Sequence, residues 1–171
     1  MKELIADYKI RRYCKRLANE ISADHHTNGQ SEEIVLLGVM NGAMPFLVDL
    51  SRLIDPKIPV IIDTVKCSSY TGMFTKSKVK MSKAPDNDLS YKTVIIVEDI
   101  VDTGDTMTFL VNKLNSKYNR IDLKVCSLLK RRDCRFRVDY LGRIVDEGLW
   151  LIGYGLDDDG FKRNLKSIFI K

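Results

Sequence analysis

Residues 94–106 read Val-Ile-Ile-Val-Glu-Asp-Ile-Val-Asp-Thr-Gly-Asp-Thr, and no other stretch restricts the fold so tightly. Val94–Val97 is an unbroken apolar run, the pattern of a strand buried on both faces. Two adjacent carboxylates, Glu98 and Asp99, end it. Asp102-Thr103-Gly104-Asp105-Thr106 then makes a small turn rich in hydroxyls, and Met107 to Leu114 has helical spacing. Strand, turn and helix start together form an anion site, because backbone N–H groups and the helix dipole both favour negative charge there. Thr103 and Thr106 add hydroxyl donors. Asp102 and Thr103 are good candidates for the helix N-cap. Carboxylates repel phosphate, so Glu98 and Asp99 are suited to other groups. A ribose diol can donate charge-assisted hydrogen bonds to them, and Mg²⁺ takes oxygen ligands. The segment reads as a binding site for a phosphorylated sugar.

The rest of the chain supplies matching elements. Ile10, Cys14, Leu17 and Ile21 recur at helical spacing, which predicts an amphipathic helix over residues 8–22. Residues 24–33 are polar and read as a loop. Ile34–Val39 reads as a buried strand, residues 43–54 as a helix, and residues 58–66 as a β-branched strand. Residues 68–78 read as a long polar loop, with a short returning strand over 79–82. A further strand is predicted over 122–129, shorter apolar runs lie at 138–141 and 149–154, and 167–170 reads as a final strand. Alternating strands and helices predict an α/β fold with a mostly parallel, doubly wound sheet. Ligands of such sheets sit outside the carboxyl ends of the strands, where Glu98 and Asp99 lie.

Composition narrows the class. The chain has 171 residues, 44% hydrophobic and 30% charged, enough for one domain with a real core. No apolar run approaches the roughly 20 residues of a membrane helix, and the first residues lack a signal-peptide core, so a cytoplasmic protein without membrane attachment is expected. Cys14, Cys67, Cys126 and Cys134 form no Cys-x-x-Cys pair and read as reduced thiols. The net charge is +5, with basic clusters over 9–16, 76–83 and 130–137. Nucleic acid, a polyanionic small molecule or plain solvent could each face such clusters.

The opening segment resembles the phosphoribosyl-pyrophosphate (PRPP) signature of the type I phosphoribosyltransferases. In the form Val-Glu-Asp-Ile-Val-Asp-Thr-Gly it is close to the hypoxanthine-guanine branch. The resemblance covers about Ile34 to Leu165. It implies a type I phosphoribosyltransferase fold over residues 1–171, with a small hood from about 1–10 and 137–171. It implies purine salvage: transfer of the phosphoribosyl group from PRPP to hypoxanthine or guanine, with Mg²⁺ as cofactor. Small-molecule substrates, no nucleic acid, and a homodimer or homotetramer follow from it. A PRPP-responsive, nucleic-acid-binding regulator of the same fold is the alternative.

The resemblance also assigns residues. Thr103, Gly104, Asp105 and Thr106 would hold the 5′-phosphate, Glu98 and Asp99 the ribose hydroxyls, and Asp102 a proton at the purine imidazole nitrogen. Gly38-Val39-Met40-Asn41-Gly42-Ala43 resembles the family's pyrophosphate loop, with Asn41 where lysine is common. Asn41, Gly42 and Arg163 would meet pyrophosphate. Ser68, Ser69 and Tyr70 open a segment that resembles the family's flexible catalytic loop. Lys130 matches a lysine found in Leu-Leu-x-Lys or Leu-Leu-Lys that contacts the 6-oxo group of the purine. Trp150 would stack on the base, with Leu151 at its edge, and Asp157 would lie near a second Mg²⁺. The metal ligands would then be Glu98, Asp99 and Asp157. Residues 142–148 depart from the family pattern.

Overall fold

The computed structural model describes residues 1–28, 33–72 and 75–171, with side chains left aside at 28, 69–72 and 75–78. In chain order the elements are β1 (Lys2–Ile5), α1 (Asp7–Asn28), β2 (Ile34–Met40), α2 (Met44–Ser51), β3 (Val60–Gly72), β4 (Thr75–Lys83), β5 (Thr93–Val101), α3 (Asp105–Lys117), β6 (Asp122–Arg131), β7 (Tyr140–Val145), β8 (Leu151–Ile152) and β9 (Ile168–Ile170). Six strands make one sheet in the order β4-β3-β2-β5-β6-β7, parallel except for the β3–β4 pair. A second, antiparallel sheet has the order β1-β9-β8.

The unbroken apolar runs follow from helices covering both faces of the large sheet. On one face Leu36, Ile95 and Cys126 pack with Ile10, Leu17 and Ile21 of α1 and Phe46 and Leu50 of α2. On the other, Leu37, Ile96 and Val125 pack with Met107, Leu110 and Leu114 of α3. Successive strand residues point to opposite faces, so both faces of the central runs Ile34–Leu37 of β2 and Val94–Val97 of β5 are apolar. Those two strands lie side by side at the centre, and their ends carry the motifs. The hood joins the first layer through Ile5, Leu151, Tyr154 and Ile168. The Tyr154 hydroxyl donates to Asp49 of α2 at 2.6 Å and lies 3.7 Å from the Cys14 thiol of α1.

Several expected boundaries move. α1 continues to Asn28 through residues read as loop; its apolar pattern stops where it leaves the core, but the His26 ring stays 3.1 Å from Asp55. α2 is shorter than residues 43–54. Residues 68–72, read as loop, extend β3, and 75–78 extend β4 into an antiparallel hairpin. Residues 140–145, placed with the hood on sequence grounds, are β7 and pair with β6 at the edge of the large sheet. The second sheet itself draws on residues 2–5, 151–152 and 168–170.

Asp63 on β3 is buried and fastens the chain that leaves this hairpin. Its carboxylate accepts from the backbone N–H groups of Thr64, Asp86 and Asn87 and from the Asn87 amide. Burial pushes its carboxyl up, but the bonds from Asn87, Thr64 and Asp86 outweigh that and hold it below the usual aspartate range. A depressed carboxyl stabilises the fold above its unfolded value of about 3.9, and this stabilisation is lost as pH falls through the lower folded value. Asp63→Ala leaves four donors without this acceptor and is expected to cost about 3 kcal/mol at pH 7. The cost should shrink in strongly acidic buffer, as thermal denaturation over pH 2–7 would show.

Candidate active site

β5 delivers the acidic pair to its carboxyl end. Glu98 and Asp99 are both buried, 7% and 8% exposed, and the Asp99 N–H donates to Glu98 Oε1 at 3.1 Å. Burial, and then the Asp99 charge, push the Glu98 carboxyl well above the ordinary glutamate value. Such a pair is costly to ionise without a cation or strong donor beside it.

The turn after β5 differs from the expected capping. Gly104, not Asp102 or Thr103, is the N-cap of α3, and no side chain caps the helix. Gly104 has φ +89°, and a Cβ there would come within 2.7 Å of Phe136 Cβ and 3.3 Å of Cys134 Sγ. The Thr103 hydroxyl donates to Asp105 Oδ2 at 3.0 Å and accepts the Asp105 N–H at 3.3 Å. Among the described residues no protein acceptor meets the N–H groups of Thr106 and Met107. Open donors at the start of a 13-residue helix are where an anion binds. Glu98, Asp102, Thr103, Gly104 and Thr106 line a small cleft of about 80 Å³ there.

The loop after β2 closes one side. The Met40–Asn41 peptide is cis, and Asn41 is exposed. A Cβ on Gly42 would overlap the Asp99 carboxylate, and one on Gly155 would overlap the Gly42 carbonyl. Bare backbone at both positions therefore lets β2, β5 and the hood meet at one point. Gly42→Ala is expected to displace Asp99 and lower turnover by about a hundredfold, in keeping with a misplacement of about 1 Å, while the melting temperature changes little. Arg163, from the hood, donates to the Gly155 carbonyl at 2.6 Å and pairs with Asp157 Oδ1 at 2.7 Å. Asp157 also accepts from the Gly160 N–H.

Beyond Asp102 the cleft widens to about 530 Å³, lined by Asp102, Thr103, Arg131, Asp133, Glu147 and Trp150 among others. Trp150 is 61% exposed, so it is not a core residue, and Lys171 Nζ lies 5.9 Å from its ring centre. Leu151 is buried beside it and pairs with Ile170. Lys130 does not line this cleft. Adjacent strand residues face opposite ways, and it is Arg131 that turns inward. Arg131 Nε donates to Asp102 Oδ1 at 3.2 Å, while its two terminal nitrogens donate to the carbonyls of Asp146 at 2.7 Å and Leu149 at 2.8 Å. The lysine motif was matched as Leu-Leu-Lys; in Leu128-Leu129-Lys130-Arg131 the Leu-Leu-x-Lys register puts arginine at the cleft. Asp133 and Glu147 were also missed. The Asp133 N–H donates to Glu147 Oε1 at 3.0 Å, and hydrogen bonding with Asp133 raises the Glu147 carboxyl. The backbone of Ser68, Ser69 and Tyr70 is strand, paired with Lys80, Val79 and Lys78. The side chains of Ser69 and Tyr70 lie outside the described residues.

An acidic pair, an open helix start and a wider cleft with Trp150 in its wall lie together at the carboxyl ends of a parallel sheet, where such folds bind their ligands. The phosphoribosyl transferase domain model matches residues 6–159, and the chain belongs to that family. Its relatives narrow the branch to hypoxanthine-guanine phosphoribosyltransferases. That of Aquifex aeolicus is 35% identical over 174 residues, covering 99% of this chain and 94% of that protein. The hypoxanthine phosphoribosyltransferase of Haemophilus influenzae is 38% identical over 144 residues, 81% and 78% of the two chains. The solved hypoxanthine-guanine enzyme of Bacillus anthracis superposes with a TM-score of 0.88 at 34% identity, covering 100% and 98%. The Trypanosoma cruzi hypoxanthine enzyme gives 0.90 at 31%, covering 99% and 90%. The regulatory alternative has no support in these likenesses.

Mg²⁺ fits the donor set. Buried Glu98 and Asp99 offer carboxylate oxygens, and among the described residues no group of three or more His, Cys, Asp or Glu forms a complete cage. Mg²⁺ suits such a partial set, because it keeps waters and substrate phosphate oxygens in its shell. Asp157 is tied to Arg163 and Gly160 and would need to share its oxygens.

Proposed function

We propose that the chain transfers the 5-phosphoribosyl group of PRPP to hypoxanthine or guanine, releasing pyrophosphate and forming IMP or GMP. The observation that carries this reading is the placement of the open α3 start, the Glu98–Asp99 pair and the Arg131–Trp150 cleft around Asp102. The 5′-phosphate sits on the N–H groups of Thr106 and Met107 and the hydroxyls of Thr103 and Thr106. Glu98 and Asp99 accept from the ribose hydroxyls and would supply oxygen ligands to one Mg²⁺, with Asp157 near a second. Bound there, the ion would neutralise charge on the pyrophosphate. Asn41, Gly42 and Arg163 face the pyrophosphate end.

The bond from the anomeric carbon to pyrophosphate breaks as the purine nitrogen forms its bond to that carbon. Positive charge develops on the ribose ring, and the preorganised carboxylates stabilise it. Asp102 receives the proton that leaves the purine imidazole. Trp150 stacks on the base, and Arg131, a donor only, meets a 6-oxo group and disfavours the 6-amino group of adenine. The β3–β4 hairpin that carries Ser68, Ser69 and Tyr70 excludes water from the reacting centre.

The chain acts as a homodimer or homotetramer; exposed Met44, Val48 and Leu53, on and just after α2, support a self-association face. Four free cysteines fit a reducing, cytoplasmic setting. Incubation with PRPP, Mg²⁺ and each of hypoxanthine, guanine, xanthine and adenine tests the reading. Hypoxanthine or guanine should be consumed with pyrophosphate release; turnover of none of them, or of adenine alone, would refute it.

A further inference from the structure

The basic cluster over 9–16 has no part in the chemistry above, yet it does not simply face bulk solvent. Lys9, Arg12, Tyr13 and Arg16 recur on one side of α1, with Lys15 beside Arg12. That side overhangs β7, the edge strand of the large sheet, which contributes Arg143. Between them lies an open groove of about 670 Å³, larger than either cleft at the strand ends. Its size is within the range of small-molecule sites, about 300–1,000 Å³.

The charge in this groove is unbalanced. Among the described residues Glu20 is the only carboxylate lining it, and Glu20 is bound by Arg16 at 2.8 Å. Arg16 has a structural task as well, donating to the Leu141 and Gly142 carbonyls of β7 at 2.8 Å each. Among the described residues, Lys9, Arg12, Lys15 and Arg143 have no carboxylate partner and no hydrogen-bond acceptor. Four like charges converging from a helix and a distant strand repel one another. One carboxylate or orthophosphate would neutralise only part of that charge. Guanidinium groups bind phosphate oxygens in bidentate fashion, and the lysines add point charges.

We infer that the groove between α1 and β7 is a second anion site, and that its ligand is a compact oligophosphate with at least two linked phosphoryl groups. The half-buried Tyr13 ring in the wall offers a surface for a nucleoside, should the phosphates belong to a nucleotide.

Calorimetric titration with inorganic tripolyphosphate tests this directly. The wild-type protein should bind one equivalent at the α3 turn and another in the groove. Arg12→Glu with Arg143→Glu should weaken the groove equivalent roughly tenfold or more in low salt and leave the other in place. Lys9→Glu with Lys15→Glu, both on exposed side chains, should act likewise and guards against a folding defect in the first pair. Purine turnover should be unchanged in both, because none of these residues lines the reaction cleft. ATP binding with the affinity of tripolyphosphate would assign the site to the phosphate chain alone, and tighter ATP binding to a nucleotide. A single equivalent in the wild-type protein, or two of undiminished affinity in the reversed variants, would overturn the inference. So would a change in sedimentation on charge reversal with no change in anion binding, which would assign the face to a second copy of the chain.

Discussion

Asp102→Asn is expected to lower kcat by about 10²–10⁴-fold, the usual reach of general-base help, while the KM for PRPP changes little. Asp102 stands at the junction of the phosphate turn and the wider cleft, exposed and paired only with Arg131. The amide keeps the shape and loses the proton acceptor. The phosphate donors are backbone and hydroxyl groups that this substitution does not touch, so PRPP should still bind. Steady-state kinetics with PRPP and hypoxanthine each varied would check the split. Wild-type kcat in the asparagine variant would remove Asp102 from the chemistry.

Arg131→Ala should also be damaging, in a different parameter. One guanidinium holds Asp102 and both carbonyls, Asp146 and Leu149, that precede Trp150. Its loss frees the segment that carries the stacking ring and removes the donor facing the purine. A hydrogen bond to a charged donor contributes about 1.5–3 kcal/mol, so hypoxanthine affinity should fall roughly 10- to 100-fold. Discrimination against adenine should weaken by a similar factor. Trp150 is the single tryptophan of the chain, so its fluorescence reports base binding separately from turnover. Arg131→Lys should restore part of the discrimination, because the donor returns without the fork that spans three acceptors. Lys130→Ala should leave base preference alone. The opposite result, a change in preference from Lys130→Ala and none from Arg131→Ala, would return the role to Lys130.

These two residues also show where sequence reasoning reached its limit. Glu98, Asp99 and the following turn were legible because a buried strand, paired carboxylates and a Gly-containing turn each leave a local signature. Their meeting with Gly42 and Gly155 was not, since it depends on backbone from three elements approaching at one point. The inward turn of Arg131 is a matter of strand parity, which a one-residue difference in motif register reverses. The β3–β4 hairpin was hidden because residues 68–78 are mostly polar and show no clean apolar alternation, a pattern that reads as loop. The end of α1 was missed for a related reason: past Ile21 the helix is polar, with Ser22 its last buried residue, and apolar spacing no longer marks it. Trp150 carries no local signature of its own, since a lone aromatic near an apolar run suits a core as well as a cleft; its 61% exposure excludes the core.

The measurement that bears most directly on the whole account is a crystal structure of the protein with PRPP and Mg²⁺. The account predicts the 5′-phosphate on the Thr106 and Met107 N–H groups and the ribose hydroxyls against Glu98 and Asp99. It places the pyrophosphate toward Gly42 and Arg163. PRPP lodged elsewhere, for example in the groove between α1 and β7 with the α3 turn empty, would contradict it.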